Sequence, residues 1–395
     1  MDSSMFAARM QGLSGNVIRE ILKLTEKPDI ISFAGGLPSP ESFPVDRLRE
    51  LADEILRTAG KQVFQYATSE GYGPLRAWIA GSLEERGLSV SSDEVLILSG
   101  SQQGIDLAAK AFINPGDFVL VERPTYLAAL HIFRCYEAQF GLVDSDEDGM
   151  RPDSLKRAVE LYNPKLIYLV PTFQNPTGTT LVLERRREVM EIAMRYGVVV
   201  LEDDPYAALR YDGDPLPAVS SFDTKGTHIL LGSFSKVISP GLRVGYAAAP
   251  PDILRKMVIG KQASDVHTNN LAQRMVAEFC MRGYLGPHVD ATRQAYRVKR
   301  DTMLRAIERY FPQGASWTRP QGGLFLWATL PETINTGALL TQATEERVAF
   351  IPGSPFFADG SGQNTMRLNF SNASLEAIDE GMLRLGRVIK RAMSV

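Results

Sequence analysis

Cysteine is nearly absent: Cys135 and Cys280 are the only two in 395 residues. They stand far apart, forming neither a metal-type cluster nor a disulfide framework, which fits a reducing cytoplasm. The four histidines (His131, His228, His267, His288) show no metal-ligand spacing, so no metal is expected. Excess charge is also missing, with 43 Lys+Arg against 46 Asp+Glu and a net charge of -3. That leaves no overall basic footprint for nucleic acid or an acidic membrane surface. No apolar run nears membrane-spanning length, and the opening MDSSMFAARMQGLSG has no apolar signal-type core. Repeats and low-complexity segments are absent too. At 44% hydrophobic composition the chain can bury a large core in two or three domains. A globular protein of the cytoplasm is expected.

The apolar residues fall into an alternation. "EVLILSGS" predicts a strand running into a helix near Gln102. "DFVLVERPTY", "KLIYLVPTFQNPTG", "GVVVLEDDPY" and "HILLGSFSKV" are buried apolar runs that each stop at polar residues. Helical stretches such as LERRREVMEIAMRYG lie between some of them. Short apolar runs alternating with amphipathic helices indicate an α/β fold with a largely parallel sheet. Ligands of such sheets bind beyond the carboxyl ends of the strands. Asn175, Asp203, Lys236 and the turn Gly100-Ser101-Gln102 all follow such runs, so they are expected to converge on one crevice.

A long amphipathic section spans about 251 to 311. "TRPQGGLFLWATL", "VAFIPGSPF" and "TMRLNFS" then read as strands ahead of a terminal helix, LEAIDEGMLRLGRVIKRAM. A domain change is expected near 280 to 290, giving a large domain of residues 46–285 and a small one of 286–395. Residues 1–45 are expected to pack with the small domain. Within them SGNVIREILKL puts Val17, Ile18, Ile21, Leu22 and Leu24 on one helical face, capped by Ser14 or Asn16.

"GSFSKVISPGLRVGY" (232–246) holds one lysine among turn-forming residues. A nucleophilic lysine must be presented without its proton. Ser233, Ser235 and Arg243 around Lys236 are the hydroxyls and guanidinium that a phosphate needs. Ser101 and Gln102, at a predicted helix start, add free N–H groups for an anion.

In order along the chain stand SQQG, ERPTY, QNPTG, EDDPY, SFSK, GLR, PQGG and MRLNFS. Together these motifs resemble the class I/II aminotransferases, the fold type I pyridoxal-phosphate enzymes, over nearly the whole chain. That resemblance implies a seven-stranded, mostly parallel sheet, pyridoxal 5'-phosphate as cofactor and a homodimer with shared active sites. It implies that Lys236 carries the cofactor as a Schiff base and then acts as general base. Asp203 faces the pyridinium nitrogen, selected over Asp204 by the pattern D-x-x-Y with Tyr206, which reaches the ring's phenolic oxygen. Asn175 donates to the same oxygen, and Tyr126 stacks on the ring.

By the same likeness Ser101, Gln102, Ser233, Ser235 and Arg243 hold the phosphate, with Tyr66 reaching it from the neighbouring subunit. His267 and Thr268 would cross the interface. Arg367 holds the substrate α-carboxylate, close to the backbone of Gly36. The stretch NVIREILKLTEKPDIISFAGGLPSPESFP resembles 2-aminoadipate aminotransferases and their broad-specificity relatives. Arg19, in the helix this likeness places over the active site, would then pair with a distal substrate carboxylate, or else lie in solvent bonded to Glu20 or Glu26. Two alternatives stay open: another reaction of the same cofactor, such as β-elimination or decarboxylation, and a regulator with an aminotransferase-like sensor domain. The regulator needs a DNA-binding module ahead of that domain, whereas the likeness here starts within about fifteen residues of Met1.

Overall fold

The computed structural model describes residues 5–10 and 29–394. The expected N-terminal helix, with Arg19, lies outside the described residues. Strands appear in chain order as β1 (Ile31–Ser32), β2 (Val95–Leu98), β3 (Phe118–Arg123), β4 (Gln139–Asp146), β5 (Gly149–Met150), β6 (Leu166–Leu169) and β7 (Val199–Asp203). They continue as β8 (His228–Ser233), β9 (Gly245–Ala248), β10 (Ser316–Trp317), β11 (Phe325–Thr329), β12 (Val348–Ala349), β13 (Ile351–Pro352) and β14 (Thr365–Asn369).

The large sheet has the order β2-β9-β8-β7-β6-β3-β4-β5. Seven strands form its body, and the two-residue β5 extends the edge beyond the seven expected. Strands β8, β7, β6, β3 and β4 pair in parallel, and β2 shares their direction because β9 is antiparallel to both β2 and β8. Helices cover both faces, which is why these strands read as unbroken apolar runs rather than alternating ones. On one face Leu98, Val121, Tyr168, Leu201 and Leu231 enter the largest core. On the other, Leu120, Ile167, Leu169 and Val200 pack with Val189, Met190 and Ala193 of helix Leu183–Tyr196. That helix stops at Gly197, whose φ of +69° is easy only for glycine.

A second core lies under the antiparallel sheet β10-β11-β14-β13. Helix Leu375–Met393 is capped by the Ser374 hydroxyl, which accepts from Ala377 N at 3.2 Å. It turns Ile378, Met382, Leu385 and Ile389 into that core, spaced as one helical stripe. Helix Leu285–Tyr310 links the cores, with Val289 and Tyr296 in the first and Met303 and Ile307 in the second. The N-terminal strip joins the second core too. Strand β1 pairs with β12, and Phe33 is fully buried there.

Candidate active site

From β3 the chain moves to β4 on one side, whereas β6, β7 and β8 step away on the other. The crevice opens at the carboxyl ends of β3 and β6, where the connections diverge. Tyr126 follows β3 and Asn175 follows β6, while Asp203 closes β7. Ser233 ends β8, and Ser235 and Lys236 come directly after it. All of them line one cavity of about 270 Å³, with Gly36, Gly100, Ser101, Gln102, Tyr206, Arg243 and Arg367.

Part of the cavity wall is built to take an anion. Helix Ser101–Phe112 begins there, so its first N–H groups, lacking intrahelical acceptors, face the space. Arg243 lies across that turn and donates from Nη2 to Ser99 O at 2.9 Å. Gly100 has a φ of +92°, and a Cβ there would collide with the Arg243 guanidinium. Glycine is thus favoured by conformation, and any side chain there would displace the guanidinium. The Ser233 hydroxyl accepts from Ser235 N at 3.2 Å, tightening the turn that carries Lys236.

Three consecutive acids, the last two residues of β7 and the one after it, have different fates. Glu202, fully buried on the far face, accepts from Val219 N at 3.0 Å and from Ser220 N and Oγ at 2.8 and 2.6 Å. Asp204 is tied to Arg86 and accepts from Ala207 N at 3.2 Å. Asp203 between them faces the cavity. Its Oδ2 accepts from the Tyr168 hydroxyl at 2.9 Å, and its buried Oδ1 has no hydrogen-bond partner among the described residues. Burial pushes the Asp203 carboxyl up to about 7. Asp204 pushes the same way, while the Tyr168 and Ser101 hydroxyls and Lys236 pull against it.

Lys236 and Arg367 both hold the N-terminal strip. Lys236 Nζ donates to Gly36 O at 2.9 Å, and Arg367 Nη2 donates to Ala34 O at 2.8 Å. Burial, together with the charges of Arg367 and Arg243, brings the Lys236 amine down to about 8. Arg367 sits in β14 with 2% of its surface exposed. Its Nη1 donates to Asn175 Oδ1 at 2.8 Å, and its guanidinium stacks over Phe325 and Phe356 at 4.3 and 5.1 Å. Asn175 is itself presented by a braced loop. Gln174 donates to Pro124 O at 2.7 Å and accepts from Thr177 N at 2.9 Å. Tyr206 meets Phe325 edge-on at 6.0 Å.

Not every expected residue joins this group. Tyr66 is 80% exposed and lies edge-on to His267 at 5.8 Å, outside the cavity of its own chain. Thr268, expected at an interface with His267, is instead buried within its own chain and accepts from Lys261 Nζ at 3.0 Å. Lys261 belongs to a network that pattern reading did not find. Its side chain is fully buried and also donates to Gln103 Oε1 and Asp265 Oδ1, both at 2.9 Å. Ser99, just ahead of the anion-facing turn, donates from N to Gln103 and from Oγ to Asp265, both at 2.8 Å. A lysine in an amphipathic helix reads as solvated, so periodicity carried no signal for it. Tyr168 was readable in principle, since a hydroxyl in a buried strand calls for a partner.

The sequence matches the family model described as aminotransferase class I and II over residues 28–385. The chain belongs to the class I and II aminotransferases. It is accordingly a pyridoxal-phosphate-dependent enzyme that exchanges an amino group between an amino acid and a 2-oxo acid. This aminotransferase is similar to aromatic-amino-acid aminotransferase 1 of Thermococcus litoralis, 43% identical over 98% of this chain and 94% of that one. It is also similar to the 2-aminoadipate transaminase of Thermus thermophilus, 42% identical over 100% and 98% of the two chains. The solved alpha-aminoadipate aminotransferase of Thermus thermophilus, complexed with N-(5'-phosphopyridoxyl)-L-leucine, matches with a TM-score of 0.93 at 41% identity, covering 99% of each chain. Among the described residues, no helix of this aminotransferase is long and apolar enough to cross a membrane, and no cluster of His, Cys, Asp and Glu is placed to hold a metal ion.

Proposed function

We propose that this aminotransferase works on acidic (2-aminoadipate, glutamate) and leucine- or aromatic-type L-amino acids, passing the amino group to a 2-oxo acid in two alternating half-reactions. The carrying observation is the pair Lys236 and Arg367. An amine held down to about 8 and a buried guanidinium share one cavity, each now bonded to a strip carbonyl. The substrate range is supported by the names of the similar proteins.

The cavity residues fit the cofactor. Ser101, Gln102, Ser233, Ser235 and Arg243 would hold its phosphate through N–H groups, hydroxyls and a guanidinium. The orphaned Asp203 Oδ1 is an acceptor for a protonated ring nitrogen, and Tyr126 would cover the ring face. When bound, the cofactor supplies an electron sink for charge developing at the substrate α-carbon. Tyr206 and Asn175 would donate to its phenolic oxygen. Arg367 would receive the substrate α-carboxylate bidentately beside Gly36, desolvated and stiffened by its stacking on Phe325 and Phe356. Lys236 would then take the α-proton as general base, its lowered pKa matching the task at neutral pH.

We read the enzyme as a cytoplasmic homodimer divided at residues 45 and 285, with Tyr66 reaching the partner's phosphate. Phe64 and Tyr66, 77% and 80% exposed, support that reading. The amino-transfer reading is tested by a panel of amino donors and 2-oxo acid acceptors, followed by the absorbance change as bound cofactor passes to its amine form. Failure of every donor to convert the cofactor would overturn it.

A further inference from the structure

Strand β6 lies beside β7 in parallel register, with Tyr168 opposite Leu201. Asp203, two residues beyond Leu201, therefore shares Tyr168's face of the sheet one step nearer the carboxyl edge. The tyrosine is fully buried, with Phe133 edge-on to its ring at 5.8 Å. Its hydroxyl donates to Asp203 Oδ2 at 2.9 Å, while the buried Oδ1 of this cavity-lining side chain has no partner among the described residues.

We propose that Tyr168 is a positioning residue for amino transfer: its hydroxyl locks the Asp203 carboxylate so that Oδ1 alone meets the cofactor's ring nitrogen, and holds the shared proton on that nitrogen. The inference rests on the reading that Asp203 faces the ring. The chemistry is that of a proton between two bases. A donor on Oδ2 withdraws charge from the carboxylate and makes Oδ1 a weaker base, so the proton stays on nitrogen. Without the donor the carboxylate competes better, the ring nitrogen loses positive charge and the electron sink weakens. Other groups bearing on Asp203 are Asp204 just after β7, Ser101 from the helix start, Lys236 from the turn after β8, Tyr126 after β3 and Tyr206 after β7. Beside them, Tyr168 makes the hydrogen bond to the carboxylate, at 2.9 Å.

Tyr168→Phe in the holoenzyme removes only the hydroxyl. With ring-15N-labelled cofactor, the nitrogen signal should move toward neutral pyridine, and the pH at which bound-cofactor absorbance changes should shift. The kcat should fall about ten-fold, as for loss of a hydrogen bond to a charged group, with the amino-acid KM changed less than about two-fold. Site-specific 3-fluorotyrosine at position 168 keeps the shape and strengthens the donor, so it should move the nitrogen signal the opposite way. It also serves should the phenylalanine variant fail to fold. An unmoved nitrogen signal in either variant overturns the role of Tyr168. Asp203→Asn separates the two readings: if it too leaves the signal and kcat unchanged, the placement of Asp203 against the ring is wrong. If it abolishes both while the Tyr168 variants change neither, the tyrosine only packs.

Discussion

Arg86 Nη2 donates to Asp204 Oδ2 at 2.5 Å, from a residue 118 positions earlier in the chain. The side chain of Asp204 is 1% exposed and that of Arg86 18%, so the pair is largely shielded from water. Its neighbour Asp203 is left as the acid that faces the cavity. Asp204→Asn would leave the Arg86 charge half-answered in a buried place, at a cost of about 3 kcal/mol, read as a lower denaturant midpoint. Its kcat/KM should stay within about ten-fold of native. Asp203→Asn should do the reverse, losing on the order of a hundred-fold or more in kcat with a small stability change. The opposite ranking in activity would assign the two acids the other way round.

Lys236→Ala should abolish turnover while the protein still folds and holds cofactor noncovalently. Borohydride reduction of the native enzyme should fix the cofactor on the peptide containing Lys236, and labelling elsewhere would end the assignment.

The same lysine makes a prediction for the cofactor-free protein. Its amine titrates near 8 when folded and near 10.5 when unfolded. Between those values the unfolded chain binds more protons, so this group's contribution to stability rises with pH. Below about 8 the burial penalty is present in full. Lys236→Met should therefore raise the Tm of the cofactor-free protein at pH 7, and its advantage should shrink as pH climbs from about 8 to about 10.5. A constant difference across that range would contradict the buried, lowered amine.

Gly100→Ala should weaken cofactor binding, because the added Cβ lands on Arg243 at a φ of +92°. A rise in the pyridoxal phosphate dissociation constant on the order of ten-fold is expected, since both the strain and the displaced guanidinium fall on one turn. Gly116 is the control. Its φ is +86° but a Cβ there meets open space, so Gly116→Ala should lower stability and leave cofactor affinity alone. Equal affinities in the two variants would remove the Arg243 contact from the explanation.

Arg19→Ala tests the reader of the distal carboxylate that the sequence suggests. Loss of a partly desolvated charge pair should cost roughly 1–3 kcal/mol in kcat/KM for 2-aminoadipate and glutamate. Leucine and phenylalanine should be unaffected. An even loss across the four, or none, would make Arg19 an ordinary surface residue.

The sequence by itself determined the α/β alternation, because strands covered on both faces need unbroken apolar runs. It also determined that polar residues ending those runs share a crevice, because parallel strands deliver their carboxyl ends to one edge. Lys236, Asp203, Asn175 and the Gly100–Gln102 turn were legible for that reason. What only the tertiary structure decided was which partner each buried group found. The acids of EDD look alike in sequence. Strand alternation turns Glu202 toward Ser220, while register and a distant arginine leave Asp203 in the cavity and tie Asp204 to Arg86. Lys261 was likewise invisible as a working residue, and the Tyr168 hydroxyl in its buried run signalled a need for a partner without naming one, since the partners of both come from other elements. A buried charge or hydroxyl is defined by the groups that satisfy it, and those groups are brought together by packing rather than by spacing along the chain.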